Sequence, residues 1–596
     1  MTDTPARPAA DRLPALPAGR PQGAPIPGEA RAASLVPFGL GRPGPHPLRW
    51  MARAAWVQRH HLRFSWRLLQ HGVCDGCTLG PRGLKDEVLA GPHLCALRLA
   101  GLGSHTQQPL IPADLVDLDR LRAMDAAALA ALGSLPDAFG HRVGSRGLDR
   151  LDGDEALRQA GEALAGANPQ GLRLVAAPHA LCNETAHALV RLAQVLGAPP
   201  PGLAVDPALV ETARSLEQAL GVGAATCSLS DLVGTDLVLL VGVDLGREAP
   251  VLLDLLAAAK ARGTRVVVVA DHREAALDGA WLPGSAHSML LGSRISDDLV
   301  LVRPGGETAA LQGVLKALLE AGGTDPAFIA RRCTGAEALF AALQARSWDS
   351  LAEQAGTEVL RLSWLGMLLA RARSAVAIIG DAAATCPGAA RAALDLLLAR
   401  GHLGRPGCGL LPVGALAEVQ IARGLGLVGS DGPAEVRVAL GGGPAPFDAA
   451  VRIHLDHHLR PGHLAEPERS LLLLPVLGRY AHPGGLTVTS VERRVRLSPR
   501  VPGGPSQGRA RPTWALLADL AHAARPQEPP PLAWTDPVDL RTELEAAHHH
   551  LAGLASLRRA SDWLQWGGPQ LCTEVDPVQP AAFSAPTSDP PPQGAA

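Results

Sequence analysis

The sequence predicts an α/β protein built from two doubly wound blocks behind an N-terminal cysteine-containing segment. Short β-branched runs, "GLRLVAAP", "DLVLLVGVD", "TRVVVVAD", "DDLVLVRPGG", "SAVAIIGD", "EVRVALGGG", "AAVRIHLD" and "RSLLLLPVLG", each hold four to eight apolar residues and stop at Gly, Pro or Asp. Such runs, apolar on both faces, mark parallel strands covered by helices on either side. The segments between them are amphipathic; in "REAPVLLDLLAAAKARG", Val251, Leu252, Leu255, Leu256 and Ala259 share one face. Strand–helix alternation over some 300 residues argues for doubly wound sheets, in blocks at roughly 170–345 and 355–525.

Taken from the N-terminus, residues 1–35 read as a disordered Pro/Ala-rich tail. Residues 36–165 form an N-terminal region, opening with a basic helical stretch, "HPLRWMARAAWVQRHHLRFSWRLLQ", and mainly helical and polar from 110 onward. The first α/β domain is expected over 166–350 and the second over 351–530, followed by a helical extension, 531–575, and a second tail, 576–596.

Composition narrows the function. With 55 basic and 57 acidic residues the net charge is −2, which leaves no electrostatic footprint for nucleic acid or an anionic membrane. Hydrophobic residues make up 47% and aromatics 3%, so the cores must be built from Leu, Val and Ala. No apolar run approaches the roughly 18 residues a membrane helix needs, and the start of the chain carries neither an apolar export region nor paired arginines. A soluble cytoplasmic protein is expected. Nine scattered cysteines do not resemble a secreted disulfide framework.

Two sets of residues carry chemistry. Cys74, Cys77 and Cys95 lie in "HGVCDGCTLGPRGLKDEVLAGPHLCALRL". By spacing alone they suit an iron–sulfur cluster, a zinc site completed by His93, redox chemistry, or no ligand. The second set sits at strand ends, where ligands of open α/β sheets bind: Gly242, Asp244 and Gly246; Asp271, His272 and Arg273; Arg303, Gly305 and Gly306; Gly441, Gly442 and Gly443. Glycines there let backbone N–H groups reach phosphates, and Asp271 can accept from a ribose or a guanine edge. Four such ends together point to a nucleotide-like ligand, although neither a dinucleotide fingerprint nor a P-loop is present.

These residues carry a resemblance. From about 37 to 585 the chain resembles the formate-dehydrogenase-like alpha subunits of the molybdopterin oxidoreductases, the FdhF/YdeP type. The stretches that carry it are, in order along the chain, "CNETAHALVRLAQVLG", "LVRPGGETAALQGVLKALLE", "LARGHLGRPGCGLLPVGALAEVQ", which is the most diagnostic, "LLLLPVLGRYAHPGG" and "TVTSVERRVRLSPR". The resemblance implies a formate dehydrogenase/DMSO reductase-like fold. It also implies a molybdenum or tungsten bis(molybdopterin guanine dinucleotide) cofactor, with a [4Fe–4S] cluster held at Cys74, Cys77 and Cys95; no fourth ligand is evident in the sequence, His71 and His93 being the candidates. Residue by residue, Asn183 and Glu184, Gly242 and Asp244, Asp271 and Arg273, Arg303 and Gly305, and Gly441 and Gly442 match cofactor-contacting turns. Glu492 and Arg493 fall in the stretch after the last strand.

The implied function is two-electron chemistry on a small molecule, with electrons leaving through the cluster. Three departures qualify it. The region "PGLAVDPALVETARSLEQ" holds no Cys where a protein metal ligand is expected, so no catalytic residue is assigned. "AAATCPGAA", with Cys386, replaces a His-containing loop. The C-terminal dinucleotide-binding barrel is expected to be missing, so a partner protein would supply a lid or accept electrons. The alternative is a degenerate, non-catalytic relative serving as an electron-relay or structural subunit; a zinc-stabilised α/β interaction protein is a third. In "HLDHHLRPGH", His454 and Asp456 fall on one strand face, and the whole is expected to be a solvated loop end.

Overall fold

The computed structural model describes residues 47–85, 93–283, 285–442, 449–527, 529–573 and 580–585. The expected tail at 1–35 lies outside the described residues, as does most of 576–596. The strands are β1 (Ala138–Arg142), β2 (Asp149–Leu151), β3 (Leu172–Ala176), β4 (Gly202–Leu203), β5 (Leu237–Val241), β6 (Arg265–Ala270), β7 (Asp298–Leu301) and β8 (Cys333–Thr334). They continue with β9 (Ala375–Ile379), β10 (Gly409–Pro412), β11 (Ala434–Leu440), β12 (Ala449–Asp456), β13 (Ser470–Pro475), β14 (Leu486–Thr489), β15 (Arg494–Ser498), β16 (Trp563–Gln565) and β17 (Ala581–Ala582).

Two large sheets organise the molecule. The first has seven strands in the order β2-β1-β13-β12-β11-β3-β4, with β13, β12, β11, β3 and β4 parallel and β1 antiparallel to β13. The second is a parallel five-stranded sheet, β10-β9-β5-β6-β7. The central strands are sealed: every residue of β5 and β9 is buried, because helices cover both faces of a parallel sheet. All eight apolar runs singled out in the sequence become strands.

The two sequence blocks do not map one to one onto the two sheets. The chain lays down β1 to β4 in the first sheet, leaves to build all of the second, and returns at β11. Apolar runs reveal strands; they do not reveal which sheet each joins, because that depends on pairings hundreds of residues apart. The stretch 110–165 is also less helical than expected. It contains the β1–β2 hairpin, which extends the first sheet antiparallel beside β13.

Each large sheet has a switch point where the chain reverses its direction of travel. In the first it falls between β3 and β11, in the second between β5 and β9. Crevices at such points are where open α/β sheets bind ligands. At the second, Gly242 (φ 53) touches the turn after β9 so closely that a side chain would overlap Ala383.

The C-terminal extension is helical only in part. Helix Pro537–Ala547 is followed by β16, which pairs with β15 in a three-stranded antiparallel sheet. Arg493, at φ 68, fastens this extension: its guanidinium donates to the carbonyls of Ala225 (2.7 Å), Trp566 (2.6 Å), Gly568 (2.9 Å) and Pro569 (3.0 Å).

Candidate functional site

A cavity of about 630 Å³ opens at the carboxyl ends of β3, β11, β12 and β13, at the first sheet's switch point. That is the size of a site for a large organic ligand. Its floor is the turn after β11, where Gly441 and Gly442 adopt φ of 76° and 49°. A side chain on Gly441 would overlap Ala180, and one on Gly442 would meet Arg460 Cδ at 2.7 Å and His463 Nε2 at 3.0 Å. Only glycine fits both the backbone conformation and the space.

The walls are polar and mostly neutralised. Asp456, the last residue of β12, is paired with Arg460 at 2.6 Å. Burial acts to raise its titration, but Arg460 and His463 outweigh it and hold the carboxyl below the usual range. Asp75 behaves the same way: against its burial, His105 at 2.8 Å and the Arg479 guanidinium hold it well below the usual carboxylate range. The histidines go the other way. Burial pushes His457 down to about 3 and His482 to about 4, and lowers His179 and His458. At neutral pH they are uncharged rings able both to donate and to accept.

Arg479 is the exception on this wall. It follows β13, lines the cavity, and among the described residues has no hydrogen-bond or ion-pair partner. A guanidinium so placed is available to an anion.

Arg479 also borders a second, smaller cavity of about 70 Å³, which shares Asp75, His179, Leu181 and Cys182 with the first. Cys74 and Cys77 line it. It shares Ile421, Leu425 and Thr489 with a third cavity of about 300 Å³ between helices Pro207–Leu220 and Gly414–Gly424. We call this series of adjoining cavities the trough; the cysteine segment borders its middle member. Glu418 faces the middle part; burial pushes its carboxyl up to about 7.

The cysteine segment is a tight reversal. Cys74 N–H donates to Pro81 O at 3.0 Å and Gly80 N–H to Cys77 O at 3.2 Å. Cys95 caps helix Ala96–Ser104, its sulfur accepting from Arg98 N–H at 3.4 Å. Two contacts bind the segment to the large cavity: the Asp75–His105 pair, and Tyr480 Oη, which donates to Val73 O at 2.8 Å. The three thiols share one neighbourhood. Burial raises all three, Cys74 to about 12, and mutual repulsion adds to the rise of Cys74 and Cys77. Among the described residues no three His, Cys, Asp or Glu side chains converge on one metal ion, so the zinc set with His93 is not assembled. Thiolates are the donors an iron–sulfur cluster takes, and such a cluster spreads them wider than one ion does.

The other sequence-selected residues divide into two places. Gly242, Asp244, Asp271, Arg273, Arg303 and Gly305 gather along the carboxyl edge of the second sheet. Their polar atoms are partly engaged: Asp244 caps the turn at Leu245–Glu248, Asp271 pairs with His272 at 2.6 Å, and Arg273 pairs with Asp278 at 2.9 Å. Glu248 stands beside them, its carboxyl pushed up to about 7 by burial and by Asp381. Asn183 and Glu184 lie at the start of helix Asn183–Leu196. Asn183 borders the middle cavity, yet Thr487 and Thr489 hold its amide; Glu184 lines none of the three and is locked to Thr487 and Arg541.

The histidine-rich stretch is not a solvated loop end. His454 and Asp456 are interior residues of β12, and His457 and His458 form cavity wall. The sequence reading also missed Arg479, His105 and Asp75 as cavity residues. The only signal was position, since Arg479 ends the apolar run of β13 as glycines end β11.

Residues 142–292 match the molybdopterin oxidoreductase family. An uncharacterized oxidoreductase of Mycobacterium tuberculosis is 27% identical over 234 residues, covering 36% of this chain and 29% of that protein. Protein YdeP of Escherichia coli is 26% identical over 231 residues, covering 36% and 30%, and formate dehydrogenase H of Escherichia coli is 23% identical over 287 residues, covering 47% and 38%. Each match therefore spans less than two fifths of the relative's length. Acetylene hydratase from Pelobacter acetylenicus shares the fold, with a TM-score of 0.62 at 15% identity over 87% of this chain and 77% of its own. Among the described residues no helix is long and apolar enough to cross a membrane.

Proposed function

We propose that this chain, whose residues 142–292 match the molybdopterin oxidoreductase family, is a molybdopterin-dependent oxidoreductase of formate-dehydrogenase type with an iron–sulfur relay. The observation that carries the reading is the trough: a series of adjoining cavities that runs from a glycine cradle at a sheet switch point past Cys74 and Cys77. A dinucleotide-bearing pterin is a long, anionic ligand, and this is a long site with one unpaired guanidinium.

When bound, the pterin-held molybdenum or tungsten supplies two-electron exchange with a small-molecule substrate. The chain's own residues do the rest. Gly441 and Gly442 admit a phosphate-bearing segment against the backbone, and Arg479 meets its charge. Asp456, fixed by Arg460, and the neutral His457 and His458 orient polar groups of the ligand. Cys74, Cys77 and Cys95 hold the [4Fe–4S] cluster. Gly242, Asp244, Asp271, Arg273, Arg303 and Gly305, on the second sheet's edge, take a second guanine nucleotide.

A second reading, a non-catalytic electron-relay or structural subunit, is favoured by the helix Pro207–Leu220. Its capping residue is Asp206, and no thiol stands there. One experiment separates the two: counting iron, zinc, molybdenum, tungsten and released guanine nucleotide in protein purified without oxygen. Iron with about one molybdenum or tungsten and guanine nucleotide supports the enzyme. Iron without molybdenum, tungsten or pterin rejects it in favour of the relay.

A further inference from the structure

Helices Pro47–Val57 and Leu62–His71 are strongly one-sided in charge. Between residues 47 and 71 lie five arginines, no lysine, and no acidic residue, in a protein whose net charge is −2. Spacing aligns them: Arg49, Arg53 and Trp56 recur at helical intervals on one face, as do Arg63, Trp66 and Arg67 on the next. All are exposed. Arg59, at the turn between the helices, lies over Trp56 at 4.8 Å.

Apolar exposure concentrates in the same place. Trp56 (69%), Val57 (57%), Leu62 (52%) and Trp66 (53%) are four of the eleven large hydrophobic residues exposed among those described, and they fall within eleven consecutive positions. Packing rests on the opposite face, apart from Arg67, which donates to Pro502 O at 3.2 Å. Met51, Ala54, Phe64 and Leu68 turn the other way and pack with Leu99, Leu102 and Tyr480. Exposed tryptophan set among arginine is the composition of an interface centre.

The position tells what the face serves. Helix Leu62–His71 ends three residues before Cys74, and helix Pro47–Val57 packs on helix Ala96–Ser104, whose cap is Cys95. A partner docked here stands beside the cysteine site. The cations are all arginine, whose fork pairs carboxylates two bonds at a time. The chain's own residues 1–46 offer no complement, with five arginines against three acidic residues.

We propose that this two-helix face docks an acidic protein electron carrier next to the cysteine site. The electron transfer rests on the iron–sulfur reading above; the docking does not. Each docking event oxidises the iron–sulfur centre by one electron and reduces the carrier by one. Two carriers therefore accept the electron pair that a substrate gives up.

The test is the binding of an acidic [2Fe–2S] ferredoxin to the full chain by calorimetry, at low and high salt. Binding that falls as salt rises, and at least tenfold in R49E/R53E/R63E/R67E and in W56A/W66A with unchanged circular dichroism, is the expected result. Equal binding by the variants, or none by the wild type, overturns the proposal. Binding only to phosphatidylglycerol vesicles also overturns it and assigns the face to a membrane surface. A C74S/C77S variant separates the two readings: it loses iron if the cluster reading holds, and keeps ferredoxin binding if the docking holds.

Discussion

Glu184 and Arg541 meet at 2.7 Å in the interior, with side-chain exposures of 0% and 2%. The pair joins the start of helix Asn183–Leu196 to helix Pro537–Ala547, and Glu184 also accepts from Thr487 N–H at 2.8 Å and Thr487 Oγ1 at 3.0 Å. Removing one partner of a buried pair strands the other charge, at a cost of about 3–5 kcal/mol. Arg541→Ala is therefore expected to lower unfolding stability in urea by that order, while E184Q/R541M, which removes both charges, recovers most of it. An Arg541→Ala midpoint equal to wild type rejects the role given to this pair.

This pair also shows where sequence reading runs out. Strands were legible because a parallel strand buried on both faces leaves a continuous apolar run, as β6 and β13 do. The glycines at 441 and 442 were legible because a strand end followed by glycine is a local signal. Glu184 was not: its polarity at a helix start looks like a ligand contact, and the partner that occupies it lies 357 positions away. Arg479 and His457 were missed for the same reason. They become cavity wall only when β12 and β13 pair in register, Asp456 opposite Pro475.

At Gly441 the backbone conformation and the neighbouring Ala180 both refuse a side chain. Gly441→Ala is expected to cost about 1–3 kcal/mol in local strain and to narrow the cavity floor. The purified variant should keep its circular dichroism spectrum and lose most of its releasable guanine nucleotide. Gly432→Ala, where an added methyl meets nothing within 4 Å, serves as the control. Full nucleotide content in Gly441→Ala would separate the glycine turn from ligand binding.

His482 makes a pH prediction with a definite sign. Burial holds its titration at about 4 in the fold, whereas an unfolded histidine titrates near ~6.5. Between those values the unfolded chain binds a proton that the folded chain refuses, so this histidine's contribution falls as pH drops below ~6.5. Glu248, Glu274 and Glu418, raised to about 7 by burial, act in the opposite direction over much of that range. The histidine is therefore read as a difference. His482→Gln, relative to wild type, should gain about 2 kcal/mol between pH 7.5 and 5, measured from urea midpoints at both pH values. A difference that does not change with pH would mean the ring charges freely within the fold.

Arg479 separates binding from stability most cleanly, since no described residue pairs with it. Asp75 keeps its pair with His105 at 2.8 Å when Arg479 is lost, so Arg479→Met should shift the unfolding midpoint by no more than about 0.5 kcal/mol. A hydrogen bond to a charged group is worth about 1.5–3 kcal/mol, so the variant should bind guanosine diphosphate at least roughly tenfold more weakly by calorimetry. Arg479→Lys restores the charge without the planar fork and should recover part of that affinity. If instead Arg479→Met unfolds more easily and binds the nucleotide as wild type does, the residue braces the wall between the cavities. The anion would then be held elsewhere on the trough, with Arg460 as the next cation to change.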